Sequence, residues 1–287
     1  MHRPMRRVSP RIPRRVLATL LAGIVAAMIG VAPGTALASG APSPNANTNP
    51  PNSPSSGTVE TYIRTWLNND RARRGLRPLR VDVNLRTIAT TRAGTLASLG
   101  LLSHTAPGNL SSQLNAAGVR WYGWGEDIGW SSYAWGYDVA SSLYTMWKHS
   151  PGHWSLMMSP HYNYLGIGLG YRWPDGQTYS SIVFAEMPDH TGPTAQVTSA
   201  GRSGSSVWFR YSGTDPVLQT HTAGMRDYDI GYRVDNGPWS IIKLHRTSGS
   251  ITFSSRPSGH TYYIAVRARD NRGNVSVWST PAHVTVP

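Results

Sequence analysis

The stretch VDVNLRTIATTRAGTLASLG, residues 81–100, reads as one helix with both of its ends marked. Asp82 stands where an N-cap carboxylate accepts from the first free backbone N–H groups, and Gly100 stands where the chain leaves the helix. Between them Leu85, Ile88, Ala89, Ala93, Leu96 and Leu99 recur at three- and four-residue spacing, which predicts one buried side. Upstream, Val59, Ile63, Trp66 and Leu67 form the stripe of an earlier helix that stops near Gly75. Downstream, Val139, Leu143, Met146 and Trp147 form a third stripe. The stretch WKHSPGHW, residues 147–154, then closes that helix and opens another: Ser150 can cap, Pro151 suits the first helical position, and His153 falls in the first turn. Two strand-like runs follow at 164–171 and 178–187, so this part of the chain reads as a mixed α/β domain.

After PDHTGPT the apolar period changes to two. Val207, Phe209 and Tyr211 alternate, as do Ile230, Tyr232 and Val234, and a DNG turn at 235–237 joins the latter run to Trp239 and Ile241. Further runs lie around Ile251, Tyr262 to Ala268, Val275 and Val284. About seven short strands separated by turns predict a β-sandwich.

The N-terminal region follows other rules. Residues 1–15 carry six arginines and no acid, an apolar run extends from Val16 to about Val31, and Ala36-Leu37-Ala38 precedes Ser39. That order reads as a secretory signal peptide over 1–38. Residues 39–57 are rich in Pro, Asn and Ser without charge and read as a tether. The expected division is therefore a leader at 1–38, a linker at 39–57, an α/β domain at 58–190 and a β-domain at 193–287, with a secreted, monomeric product that has no transmembrane span.

The whole chain of 287 residues has a net charge of +13, but without the leader's arginines 21 basic residues face 14 acidic ones. Residues 57–190 hold 11 basic and 9 acidic residues, which is not the one-sided face of a nucleic-acid binder. The chain has no cysteine, so thiol catalysis, cysteine zinc sites and disulfides are excluded. No serine sits in a recognisable nucleophile motif.

Glutamate is scarce: Glu60, Glu126 and Glu186 only. Glu126 lies in the aromatic stretch WGEDIGW, His104 follows the second helix, and His153 opens the helix after Pro151. Two imidazoles and a carboxylate could hold a divalent ion or form a proton-transfer network, but spacings of 22 and 27 residues do not show that they converge.

The motifs LNNDRARRGLRPLRVDVNLRTIATTRAGTLA, LSHTAPG, GEDIG, MWKHSPGHW and YLGIGLG occur here in the order found in bacterial CAP-domain proteins. Residues 58–188 thus resemble the superfamily that holds the cysteine-rich secretory, antigen 5 and pathogenesis-related 1 proteins. The resemblance implies an α-β-α sandwich in which His104, Glu126 and His153 match three of a four-residue cluster able to bind zinc or another divalent metal. Ser150 stands where part of the family has the second glutamate, Asp127 replaces a common asparagine and Trp154 a common arginine. Residues 193–287, through YDIGYRVDNGPW and HTYYIAVRARDNRGNVSVWS, resemble a fibronectin type III-like domain. The expected fold class is therefore α+β, a CAP-type α-β-α sandwich followed by an all-β sandwich of fibronectin type III or Ig-like type. Asp215, Asp227 and Asp229 are read as turn residues in preference to a calcium site.

Six of the eleven tryptophans fall between 121 and 154. Trp124, Trp130, Trp154, Asp127 and Ser150 are expected to line a cleft beside the cluster, where flat rings suit a lipid, a glycan or another cell-envelope component. The leading functional expectation is a non-enzymatic binding cleft with a weakly held divalent metal at His104, Glu126 and His153, and a β-sandwich spacer or adhesion domain. The alternative is a metal-dependent peptidase or cell-wall hydrolase in which Glu126 is the base. A third reading makes the cluster a hydrogen-bond network that only fixes the fold.

Overall fold

The computed structural model describes residues 55–287. The leader expected at 1–38 and all but the last three residues of the tether lie outside the described residues. Helix α1 (Ser56–Arg73) starts inside the expected tether, with Ser55 at its N-cap. It is followed by β1 (Arg80–Val81), α2 (Val83–Leu99), α3 (Leu110–Ala116), β2 (Gly123–Ser131), α4 (Tyr137–Lys148), α5 (Pro151–Met157), β3 (Tyr164–Arg172) and β4 (Gln177–Glu186). Asp82 caps α2 by accepting from the Leu85 amide at 2.8 Å, and Gly100 ends it at φ 62°. Leu99, expected on the buried side, is 52% exposed, because the left-handed turn at Gly100 ends the packed face one residue earlier.

The four strands form one sheet in the order β1-β3-β4-β2, antiparallel apart from β1 with β3. Strand β3 explains how α2 reaches it. Leu165, Ile167 and Leu169 point to one face and join Val59, Ile63, Leu67, Leu143 and Trp147 from α1 and α4. The alternate residues Gly166, Gly168 and Gly170 face α2, where a Cβ would lie 2.1 to 2.5 Å from the backbone of Leu85, Ala89 and Ala93. The side-chain-free positions on the strand let the helix backbone rest on the sheet. With α1, α4 and α5 on the opposite face, the result is an α-β-α sandwich. Trp147, fully buried and donating Nε1–H to the Ile128 carbonyl at 3.0 Å, anchors that opposite face; truncation to alanine removes about 3–5 kcal/mol.

The second part holds β5 (Thr194–Ser203), β6 (Ser206–Thr214), β7 (Met225–Val234), β8 (Ser240–Arg246), β9 (Ser250–Phe253), β10 (His260–Asp270) and β11 (Ala282–Val286). They form two sheets, β11-β10-β7-β8 and β5-β6-β9, around Val207, Phe209, Ile230, Ile264 and Val266. Tyr262 is the core tyrosine, 2% exposed with its hydroxyl donating to the Pro257 carbonyl at 3.0 Å. This is the β-sandwich that the two-residue period predicts.

The loop between β6 and β7 reaches into the α/β part. Leu218 is 3% exposed and belongs to the core cluster of Leu85, Leu110, Leu114 and Tyr164. Around it Gln219 accepts from the Arg77 amide at 2.7 Å, Thr220 donates to the His161 carbonyl at 3.0 Å, and His221 pairs with Glu186 at 2.9 Å. His190, just after β4, pairs with Asp82 at 2.9 Å and stacks on Tyr164.

Candidate functional site

Strand β2 is an edge strand, and its two-residue period separates the neighbours of the GED motif. Trp124, Glu126, Ile128 and Trp130 share one side; Ile128 packs there with Leu96 and Ala97 of α2. Gly125, Asp127 and Gly129 share the other, where Cβ atoms on the glycines would meet Tyr162 and Leu156 or Met146 and Trp147.

Glu126, 7% exposed, meets a buried arginine from α2. Arg92 donates from Nε to Oε1 at 2.6 Å and from Nη2 to Oε2 at 2.8 Å. Its remaining N–H groups go to the carbonyls of His104 and Gly108 and to Gln113 Oε1, at 2.7 to 2.9 Å. All five donors of this guanidinium are therefore used. Glu126 also accepts from Ser181 Oγ at 2.7 Å and contacts His104 Nδ1 at 2.9 Å, so each oxygen has two partners. Burial alone would raise the Glu126 pKa; the hydrogen bonds from His104 and Arg92, with the Arg92 charge and Ser181, hold it below the ordinary value.

His104 is largely exposed on its other side. His153 is half-buried at the start of α5 and carries a buried Nδ1 without a hydrogen-bond partner. Burial, and then the nearby charge of His104, lowers its pKa and favours the neutral ring. His104 thus meets Glu126 directly and lies near enough to His153 for its charge to be felt there. Glu126 has no unshared acceptor position facing the imidazoles, because a bidentate guanidinium already neutralises it. To act as the expected ligand or free base, Glu126 would have to give up one of its four partners.

Asp127 is corrected as a cleft residue. It is wholly buried on the α4–α5 side of the sheet, and neither carboxylate oxygen has a partner. Burial, and then the charge of Glu126, raises its pKa well above the ordinary carboxylate value. Ser150 occupies the N-cap position of α5 without a side-chain cap bond. Trp154 packs on the α1–α4 core beneath the cations of Arg74 and Lys148, whose charges lie 5.1 and 5.6 Å from its ring. Trp124 packs on the α2 side, while Trp130 is 43% exposed. Tyr122, Tyr133 and Tyr137 are also exposed. A cavity of about 190 Å³ lies elsewhere, between α1 and β1, around the Glu60–Arg86 pair.

Arg92 is the residue the sequence reading missed. The signal was its position: Leu85, Ile88, Ala89, Arg92 and Leu96 share one helical stripe, where a solvated arginine does not belong.

Two other acid clusters could hold a metal among the described residues. Asp227, Asp229 and His245 are already compensated by Arg226, Arg267 and Arg269. Asp189, Asp215 and Asp270 converge where the β6–β7 loop meets the end of the α/β domain, and there Asp189 and Asp215 accept from the Ala223 and Gly224 amides.

Helix α2 thus rests on a glycine-striped sheet whose β2 edge carries the buried Glu126 and its partner His104. Residues 65–184 match the CAP family, the cysteine-rich secretory protein family. No curated protein matches the chain. Among solved structures, an extracellular SCP-domain protein of Bacillus anthracis is 23% identical with a TM-score of 0.37, covering 45% of this chain and 40% of that one. An outer surface protein of Borrelia burgdorferi is 15% identical with a TM-score of 0.41, covering 47% and 96%. The sixth fibronectin type III domain of a human protein is 17% identical with a TM-score of 0.28, covering 34% and 90%. The chain spans about two fifths of the Bacillus protein and of a cysteine-rich secretory protein of Staphylococcus aureus. No helix among the described residues of the CAP-like or the β-domain is long and apolar enough to cross a membrane.

Proposed function

We propose that this chain is a secreted, non-enzymatic recognition protein whose CAP-like domain binds a lipid, glycan or other cell-envelope component. One observation carries the reading: both oxygens of Glu126 are committed to Arg92, Ser181 and His104. A carboxylate held this way is a poor general base, since any proton it accepted would displace a charge-assisted hydrogen bond. Its role is to orient. Glu126 fixes the His104 ring, whose other side is largely exposed.

The hydrolase reading requires Glu126 as a free base, and its four hydrogen-bond partners weigh against that role. The test measures zinc content, hydrolysis of peptide and cell-wall substrates, and binding to lipid vesicles and glycan arrays, for the wild type and Glu126→Gln. Ligand binding without turnover is the expected result. Stoichiometric zinc and zinc-dependent turnover, both lost in Glu126→Gln, would overturn it.

A further inference from the structure

The outer face of the β11-β10-β7-β8 sheet carries an arginine treated unlike its neighbours. Arg226, Arg267 and Arg269 each pair with Asp227 or Asp229. Arg233 pairs with no carboxylate. Its guanidinium lies 4.3 Å from the centre of the Tyr263 ring, its cross-strand neighbour, and 5.2 Å from that of Trp239. Its Nε is buried without a partner. Two rings thus fix an uncompensated cation in place, where a flexible surface arginine would wander.

The same face has a flat apolar floor beside that charge. At Gly231 a Cβ would come within 3.4 Å of the Trp278 ring and 3.5 Å of the Trp239 ring, so both indoles converge on a position without a side chain. The two tryptophans remain 37% and 42% exposed. Arg267, itself paired with Asp229, lies 4.9 Å from the centre of the Trp278 ring and holds that indole in place. Residues 191–287 hold 10 basic and 5 acidic residues, so the domain as a whole attracts anions.

We propose that this face binds an acidic polysaccharide, a chain of uronate-type sugars. Such a chain offers flat C–H faces to exposed indoles and a planar carboxylate to the guanidinium of Arg233, which has no carboxylate partner of its own. The β-domain is then a binding module in its own right. This inference does not rest on the reading of the CAP-like domain, and Glu126→Gln leaves it untouched.

The test is affinity electrophoresis of the full chain in gels containing polygalacturonate or neutral dextran, with free polyglutamate as competitor. Retardation by polygalacturonate alone is expected, without competition from polyglutamate. Arg233→Gln should weaken it about tenfold, the scale of one charge-assisted hydrogen-bonded pair. Arg272→Gln, an exposed turn arginine on the same domain, should change it less than about twofold, as screened charge alone would. Trp239→Ala and Trp278→Ala are read beside their melting temperatures, and Arg233→Gln carries the test if either unfolds. Equal losses in Arg233→Gln and Arg272→Gln, equal competition by polyglutamate, no retardation, or binding only to a protein would each overturn the proposal.

Discussion

Replacing Asp127 by asparagine isolates one proton. The carboxyl is wholly buried, unpartnered, and raised well above its ordinary value of 3.8 by burial and then by the charge of Glu126. The folded state therefore keeps a proton that the unfolded chain releases. The stability it contributes is complete below the unfolded pKa and is lost as pH rises toward the folded one. Each pH unit inside that window removes about 1.36 kcal/mol for one proton. Asparagine does not titrate, and every other group is common to both proteins. The difference in unfolding free energy, variant minus wild type, should thus climb with that slope. The amide's own unpaired donors shift the curve vertically and leave the slope alone. Urea denaturation at pH 5, 6 and 7, followed by tryptophan fluorescence, reads the difference directly. Parallel profiles, or a wild type that gains on the variant as pH rises, would refute the assignment of a protonated Asp127.

Three further outcomes follow from the same structure. Arg92→Met leaves Glu126 buried without its guanidinium and should destabilise the chain by about 3–5 kcal/mol, with Arg92→Met/Glu126→Gln recovering part of the loss in a denaturant cycle. Leu218→Ala should weaken the CAP-like domain, although the residue belongs to a β-domain loop, by about 2–5 kcal/mol; hydrogen exchange should speed up in α2 and α3 before β6 or β10. His190 has its pKa raised above 6.5 chiefly by the hydrogen bond to Asp82, whose own value is lowered. Its contribution is complete below pH 6.5 and falls as pH rises through the folded value, so His190→Gln should cost stability near pH 6 and little at pH 9, read by thermal melts across that range.

Helices α1, α2, α4 and α5 were legible because their signals are local, while the short α3 was not read. Asp82, Gly100 and the leucine stripe define α2 without reference to anything distant, and Ser150-Pro151 marks the break before α5. Strand β2 was not read as a strand, since glycines and tryptophans in WYGWGEDIGWSS obscure the usual alternation of apolar and polar residues. The cue lay in the glycines themselves: Gly123, Gly125 and Gly129 share one parity, and Trp124, Glu126, Ile128 and Trp130 the other. Missing that parity put Glu126 and Asp127 in one cleft, whereas a strand sends adjacent side chains to opposite faces. His104, Glu126 and His153 were found through motif order, but Arg92, which decides what Glu126 can do, was hidden by the usual habit of arginine to face water. Leu218 could not be found at all from local pattern. Its partners lie in helices more than a hundred residues earlier, and a single leucine in a loop carries no period.

That leucine also sets a limit on how freely this chain can be cut and recombined. A fragment ending near residue 190 would keep every helix and strand of the CAP-like domain yet lack one of its buried side chains, and would present an apolar hole to water. A β-domain transplanted elsewhere would carry an exposed greasy loop in exchange. The joint between the two parts is thus an inheritance held in common, and a partner for either half must arrive with a matching peg or socket.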